Sequence, residues 1–171
     1  MEDKLKKSVL VAPLLFSAFS CVTVMATENI PANSQIFKEA KSLPKIPANP
    51  KVFTGKAEVI QMSQQVPGMP VHNGIVIFER GARTFWHIHP AGQFFTVLRG
   101  EGRTGVYGEK ARVVNPGDVV ICPAGVKHFH GAGPDTQMVQ MTVTGDHPEG
   151  KGVTRLEDCL LYTSPSPRDG A

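Results

Sequence analysis

The chain contains few cysteines, three among 171 residues. Cys21 lies in an apolar N-terminal stretch and Cys159 begins a Ser/Pro-rich tail, so Cys122 alone remains in the central part of the chain. A chain without the N-terminal stretch and the tail has a single cysteine, so it cannot form an intramolecular disulfide. Cys122 ends an apolar run before Pro123, and this position favours core packing.

An excess of charge of one sign is also missing. Eighteen Lys and Arg residues nearly balance 15 Asp and Glu residues, which gives a formal net charge of +3. No basic stripe with interleaved aromatic residues occurs, so the pattern expected of a nucleic-acid-binding surface is excluded. No internal repeat is evident beyond two loosely similar halves, and about 130 residues suffice for one hydrophobic core.

No apolar run continues without interruption for the length of a membrane span. Residues 8–25 are apolar, but Pro13, Ser17 and Ser20 interrupt them, and basic residues precede them. Together with a small-residue cleavage site before residue 27, this predicts a signal peptide at 1–26 and a periplasmic or secreted protein. We expect no stable membrane association after cleavage; an uncleaved anchor is the alternative, and Cys21 is a poor match to a lipoprotein site.

The two ends of the remaining chain differ in composition from its middle. Residues 27–51 contain several Pro and Lys and predict a linker or an N-terminal arm across a neighbouring subunit. Residues 159–171 contain CLLYTSPSPRD, which looks like the translation of an adaptor used in DNA sequencing libraries. We expect this tail to be non-native and without function. The predicted domain is therefore 52–158.

Short runs of β-forming residues separated by turn sequences fill this domain. The runs lie at 57–62, 74–79, 94–98, 102–107, 111–114, 118–122 and 138–143. Gly-rich and Asn-Pro-Gly-Asp turns separate several of them. Many short strands at near-regular spacing predict an antiparallel sandwich or barrel.

Four neutral donors are spaced so that they can meet at one divalent metal ion. They are His87, His89, Gln93 and His128. Two histidines at i and i+2 in an extended segment project from the same side. The Pro90-Ala91-Gly92 turn returns Gln93 to this pair, and a distant hairpin through Gly125 is expected to deliver His128. Unrelated surface histidines are the alternative interpretation.

The chemistry of these donors limits the cofactor. Three imidazoles and an amide oxygen leave the full +2 charge on the ion, which makes it a stronger Lewis acid toward bound anions and coordinated water. Mixed nitrogen and oxygen donors with open positions suit Mn or Fe, with Ni, Co and Zn as further candidates. We therefore expect one divalent metal ion.

Glycines and prolines at fixed offsets surround these donors, and the combined pattern resembles both signature motifs of the cupin superfamily over about residues 52–158. These flanking residues are Gly81, Gly100, Gly117, Pro123 and Gly125. The resemblance implies an all-β fold, an antiparallel double-stranded β-helix or jelly-roll barrel, with the metal inside. It also implies a homo-oligomer, a dimer or tetramer, because sheets of two cupin subunits often pair.

The segments GARTFWHIHPAGQ, PGDVV and KHFHGAGP are similar to small bacterial cupins that include manganese-dependent hydroxynitrile lyases. That group uses three histidines and one glutamine as ligands, and these match His87, His89, Gln93 and His128. The commoner cupin pattern has Glu at the position of Gln93. The resemblance implies a small-molecule enzyme that reversibly cleaves a cyanohydrin into a carbonyl compound and hydrogen cyanide.

The sequence departs from the lyases at the expected catalytic base. The inward histidine of the late strand falls on Gln140, which is therefore a candidate catalytic residue, and a later glutamine falls on Thr144. An amide does not accept a proton near neutral pH, so His130 is the candidate substitute base. Packing beside His128 is the alternative role of His130.

Residues on the surrounding strands are candidates for the substrate pocket. They are His72, Val76, Phe94, Met138, Thr142 and Thr144. Met138, Gln140, Thr142 and Thr144 share one face of a strand, but alternation alone does not decide whether this face meets water or the metal. His72 precedes Asn-Gly and is equally compatible with a turn. Trp86 is expected on the face opposite to His87.

Two other functions remain compatible with the sequence. One is an Fe- or Mn-dependent cupin dioxygenase, which requires a redox metal and consumes oxygen. The other is a non-catalytic module that binds a metal or a small ligand and shows no turnover.

Overall fold

The computed structural model describes residues 34–63, 66–150 and 152–157. Within these residues the chain forms thirteen short strands. The predicted signal peptide and tail lie outside the described residues. The described part contains one short 3-10 helix at Ala40–Ser42 and no α-helix. The prediction of an all-β chain is therefore confirmed.

The first sheet has six strands. In spatial order they are β1 (Lys45–Pro47), β3 (Ala57–Ser63), β4 (Val71–Phe78), β12 (Met138–Gly145), β7 (Gln93–Arg99) and β10 (Val119–Cys122). All neighbours in this order are antiparallel. Part of the segment predicted as a linker or arm therefore pairs with β3 at one edge of the sheet.

The second sheet has seven strands, most of them very short. A path of five runs β13 (Thr154–Arg155), β6 (His87–Ile88), β11 (His128–Ala132), β5 (Arg83–Thr84) and β2 (Phe53–Thr54). The hairpin of β8 (Gly102–Val106) and β9 (Arg112–Val114) joins it through β8 and β11.

All seven predicted strands are present, with ends that differ by a few residues. The strands that sequence reasoning did not identify are mostly two or three residues long, which is too short for a period of two to show. The prediction that a hairpin delivers His128 is wrong. β10 pairs with β7 of the first sheet, whereas β11 belongs to the second, so the chain crosses between sheets after Cys122.

The hydrophobic core contains side chains from both sheets. Phe78, Phe95 and Met138 of the first sheet are fully buried and share one cluster with Val114 and Ala132 of the second. The two sheets therefore pack face to face and enclose the interior of the barrel.

Trp86 lies in a separate apolar cluster. Its ring is 1% exposed and meets the edge of Phe129, with ring centroids 5.1 Å apart. The expectation that Trp86 packs on the face opposite to His87 is confirmed, because Trp86 lies among Phe129, Ala111 and Leu156 rather than in the main core.

The turn between β7 and β8 requires a glycine. Gly100 has φ +78°, and a Cβ added there would lie 1.7 Å from the carbonyl oxygen of Gln137. Both the backbone conformation and the space exclude any other residue. Within the described residues, no helix has the length and apolar character needed to cross a membrane.

Candidate metal centre

Four histidine rings meet between the two sheets. We call His87, His89, His128 and His130 the histidine cluster; each is at most 5% exposed. His87 on β6 and His128 on β11 are direct register partners, with ring centroids 4.2 Å apart. His89 follows β6, and its ring centroid lies 4.9 Å from that of His87 and 5.6 Å from that of His128. Strands β6 and β11 of the second sheet therefore supply three of the rings, and the residue just after β6 supplies the fourth.

Gln93 approaches from the first sheet. The predicted turn before it is present, closed by a hydrogen bond from the Gly92 N–H to the His89 carbonyl, with Gly92 at φ +80°. Gln93 begins β7 and pairs with Cys122 on one side and Thr144 on the other. Thr144 in turn pairs with His72. Directly opposed residues share a face, so these four residues form one row, which we call the inner row.

Backbone hydrogen bonds set the tautomer of three cluster rings. The Nδ1 atoms of His87, His89 and His128 lie 2.5–2.9 Å from carbonyl oxygens of the backbone. The acceptors are Phe85, Gly152 and Val126, respectively. A carbonyl only accepts, so each Nδ1 carries the proton and each Nε2 keeps a lone pair. Metal-binding histidines in proteins are commonly oriented in this way.

Several buried acceptors in this region have no hydrogen-bond partner. They include Nε2 of His89, Nε2 of His128 and Oε1 of Gln93. The Gln93 amide is held by a bond from its Nε2 to Thr144 Oγ1, 2.9 Å long, which leaves its oxygen free. Unpaired buried acceptors are costly, and a shared cation satisfies all of them at once. The residues present therefore fit a divalent metal ion.

His130 belongs to the cluster by distance but differs in its hydrogen bonding. His87, His128 and His130 each offer a ligand atom within 4.8 Å of the others, so these three could hold a metal ion. The Nδ1 of His130, however, lies 3.1 Å from Nε2 of Gln140. An amide nitrogen only donates, so Nδ1 of His130 accepts and its Nε2 carries the proton. Hydrogen bonding thus favours His89 and Gln93 over His130 as ligands.

The interior keeps these rings neutral. Burial, followed by the nearby His128 and His89, lowers the pKa of His87 to about 3. Burial likewise lowers the pKa of His89 to about 4, against a weaker opposing effect of the Gly152 carbonyl. Burial also lowers the pKa of His128, and it lowers the pKa of His130 well below its usual value. Neutral imidazole is the form that binds metals, so the rings need not release protons near neutral pH.

Thr144 supports the site through Gln93. We expect Thr144→Val to weaken metal binding roughly 10-fold, since loss of a group that orients a ligand typically costs this much or more. Thr142→Val is the matched control, because Thr142 lies on the same buried face but its hydroxyl donates to the Gly74 carbonyl. Competitive titration with a chelator measures both affinities, and equal affinities would contradict the orienting role of Thr144.

The structure decides which face of β12 points inward. Met138, Gln140, Thr142 and Thr144 are all at most 9% exposed. The polar set therefore faces the barrel interior. Two of the predicted pocket residues, Val76 and Met138, lie in the main hydrophobic core, whereas Thr144 holds the Gln93 amide.

The prediction that Phe94 lines the pocket is wrong. Phe94 is 41% exposed, whereas Phe95 is fully buried and its ring centroid lies 4.9 Å from that of His130. The physical reason is the two-residue period of a strand, which places Phe95 and not Phe94 on the face of Gln93. Phe95 therefore packs beside the histidine cluster.

Sequence reasoning also missed the cavity that reaches the cluster. This cleft, of about 570 Å³, lies among β8, β9 and β10, and its lining includes exposed side chains such as Lys110, Arg112 and Ile121 as well as the buried Thr104, Val114, Cys122 and His128. Its walls come from both sheets, so no local pattern identifies them. Burial raises the pKa of the Cys122 thiol to about 11, which keeps it protonated and unreactive near neutral pH.

Comparison with known proteins identifies the family. A profile of the cupin domain matches residues 74–144. The chain is 38% identical over 105 residues to an (R)-mandelonitrile lyase from Granulicella tundricola, an alignment covering 61% of this chain and 79% of that enzyme. The chain belongs to the cupin family.

Other cupins and a related protein extend this result. A cupin-like protein of known structure from Thermotoga maritima has a TM-score of 0.64 and 30% identity, covering 78% of this chain and 99% of that chain. A germin-like protein from Arabidopsis thaliana is 25% identical over 166 residues, covering 85% of this cupin and 73% of the plant protein. The resemblance to cupins and the expected jelly-roll barrel are confirmed.

Proposed function

We propose that this cupin is an exported, metal-dependent lyase that cleaves cyanohydrins into a carbonyl compound and hydrogen cyanide. The observation that carries the proposal is the set of buried acceptors without partners, Nε2 of His89, Nε2 of His128 and Oε1 of Gln93. The similarity to an (R)-mandelonitrile lyase supports the choice of reaction. The basic and apolar N-terminal sequence supports export.

We propose His87, His89, Gln93 and His128 as the ligands of one ion, with Mn or Fe preferred for this mixed nitrogen and oxygen set. When bound, the ion supplies a Lewis acid that polarises the substrate oxygen and stabilises negative charge. Two cavities adjoin the proposed ligands: one of about 570 Å³ is lined by His128, and another of about 470 Å³ is lined by Gly152, whose carbonyl holds His89. Both lie within the usual range for small-molecule sites, roughly 300–1,000 Å³.

The predicted catalytic roles of His130 and Gln140 receive little support. His130 has no free lone pair in the tautomer set by Gln140, and burial disfavours its protonated form. Gln140 is fully buried, and its amide is not basic. Both residues fit a positioning role, in which the Gln140 amide donates to Nδ1 of His130 and fixes its tautomer.

The proposed oligomer covers part of the first sheet. Ile121 on the edge strand β10 and Phe94 on its neighbour β7 are register partners, and both are exposed, together with Val119 and Leu98. Contiguous exposed apolar side chains of this kind often mark protein interfaces. They support the proposal that a second copy of the chain packs here.

A cyanide-release assay tests the reaction. We expect protein loaded with Mn or Fe to release cyanide and benzaldehyde in equal amounts from mandelonitrile, and protein treated with a chelator to release neither. An oxygen electrode should record no uptake, because the cleavage is not an oxidation. Fully loaded protein without cyanide release would contradict the lyase. Substrate-dependent oxygen loss would indicate the dioxygenase instead.

A further inference from the structure

A hydrogen-bonded pair of His72 and Asp146 lies at one end of the inner row. His72 Nδ1 is 2.6 Å from Asp146 Oδ1, and the two side chains are 36% and 29% exposed. The carboxylate accepts, so Nδ1 of His72 carries the proton and Nε2 keeps its lone pair. A histidine whose Nδ1–H is held by a carboxylate is oriented to exchange a proton at Nε2.

The sheet register places His72 on the face that carries Gln93. His72 pairs with Thr144, and Thr144 pairs with Gln93. Neighbouring strands lie about 4.8 Å apart, so the backbones of His72 and Gln93 are separated by roughly 10 Å. Thr144, which lies between them, has a short side chain. The longer His72 and Gln93 side chains can therefore face a small molecule bound between them.

A cavity of about 470 Å³ adjoins His72, and we call it the vestibule. Asp146, His147 and Gly152 line it on one side, and its apolar wall consists of Val66, Pro67 and Met69. His147 is half-buried against this cavity.

The backbone of Gly152 contacts His89 of the histidine cluster and also lines the vestibule. The Gly152 carbonyl accepts the Nδ1 proton of His89, and a Cβ added to Gly152 would lie 3.3 Å from Cε1 of His72. His72 and the cluster are therefore close enough to act on one substrate.

His72 differs from His130 in its solvent exposure and in its hydrogen-bond partner. His130 is 3% exposed and its Nδ1 accepts from Gln140. His72 meets solvent, keeps a free Nε2 and has a carboxylate partner. A general base must reach the proton that it takes and must offer a free lone pair to accept it. Among the histidines beside this centre, His72 fits these requirements better than His130.

We infer that His72, oriented by Asp146, is the acid–base residue of this centre; the inference rests on the proposed lyase function. Nε2 of His72 takes the hydroxyl proton of the bound cyanohydrin while the bond between the carbinol carbon and the nitrile carbon breaks. The electron pair of that bond leaves on cyanide, and the oxygen forms the carbonyl group. Cyanide then takes the proton from His72 and leaves as hydrogen cyanide, so the residue returns to its starting state.

Kinetics of a neutral variant test the role. We expect His72→Gln to keep full metal content and melting temperature and to lower kcat on mandelonitrile roughly 100-fold or more, the usual effect of losing a general base. His147→Gln should lower kcat far less than His72→Gln, because Nδ1 of His147 accepts from the Glu149 N–H rather than donating to a carboxylate. A fully loaded His72→Gln protein with more than half of the wild-type kcat overturns the inference and leaves the lyase proposal standing.

Asp146 is a positioning residue and needs a different readout. Asp146→Ala should lower kcat with little change in KM, and Asp146→Asn should restore much of the loss because its amide oxygen still accepts from Nδ1. Ring ¹⁵N chemical shifts of His72 should show one tautomer in the wild type and a mixture in Asp146→Ala. An unchanged tautomer in Asp146→Ala contradicts the orienting role.

Cyanide binding provides a test that does not depend on turnover. In the zinc-loaded, ¹⁵N-histidine-labelled protein, sodium cyanide should shift the Nε2 resonance of His72 and leave that of His147 nearly unchanged. If mandelonitrile is not cleaved but this shift occurs, the lyase proposal fails and the placement of His72 at the ligand site is supported. Saturating cyanide without any shift at His72 overturns the placement itself.

Discussion

Replacement of His87, His89 or His128 by Ala should remove most of the bound metal. Each ring directs an Nε2 lone pair away from its carbonyl-bonded Nδ1, so each variant lacks one of the three proposed nitrogen ligands. We expect the metal content of each purified variant, measured by elemental analysis, to fall to a small fraction of one ion per chain.

Two controls sharpen this experiment. His147→Ala should keep its metal, because His147 lies outside the cluster and lines the vestibule. His130→Gln should also keep it, since its ring nitrogens are a donor and a bonded acceptor. Metal loss in His130→Gln together with metal retention in His89→Ala would instead establish His87, His128 and His130 as the ligands. Equal metal content in all variants would refute the centre.

The metal-free protein should lose stability steeply as the pH falls below 6.5. In the unfolded chain these imidazoles bind protons near pH 6.5, whereas in the folded chain the pKa is about 3 for His87 and about 4 for His89. The unfolded state therefore binds more protons throughout this window, and acid favours it. A tenfold difference in proton affinity between the two states corresponds to roughly 1.4 kcal/mol, so the total destabilisation by pH 4 is on the order of several kcal/mol.

An effect of this size approaches the whole stability of a typical domain, about 5–15 kcal/mol. We therefore expect the chelator-treated protein to unfold in mildly acidic buffer and to show nearly constant stability above pH 7. Metal-saturated protein should resist acid to a lower pH, because the ion binds the folded state and competes with protons for the same nitrogens.

Urea denaturation between pH 8 and pH 4 measures this dependence in the two forms. His130→Gln should flatten the curve of the metal-free protein, since it removes one buried ring whose pKa is lowered by burial. His147→Gln should leave the curve unchanged. A urea midpoint of the metal-free protein that is constant from pH 8 to pH 4 would show that the buried rings do not govern its stability.

The sequence predicted the strands that are long enough for alternation to show, and its resemblance to the cupin motifs implied the barrel. Its main error at the site was Phe94, although the two-residue period already relates Phe95 to Gln93. The role of Val76 and Met138 in the core could not be separated from a role in the pocket, because both places are buried. Only the positions of the opposing strands distinguish them.

Two features could not be predicted from the sequence: the pairing of His72 with Asp146, and the wall of the cleft beside His128. His72 and Asp146 are 74 positions apart, and Thr104 and Cys122 come from different sheets. Such contacts depend on strand order and on register, which a local pattern does not contain.

The sequence by itself determined the chemistry available at this centre, because residue types decide that its donors are uncharged nitrogen and oxygen atoms. It also determined the β class, because alternation is a local property of the chain. Tertiary structure decided which faces turn inward, which nitrogen of each ring keeps its lone pair and which histidine meets solvent. These properties depend on burial and on hydrogen bonds between distant segments, and those exist only once the two sheets have packed together.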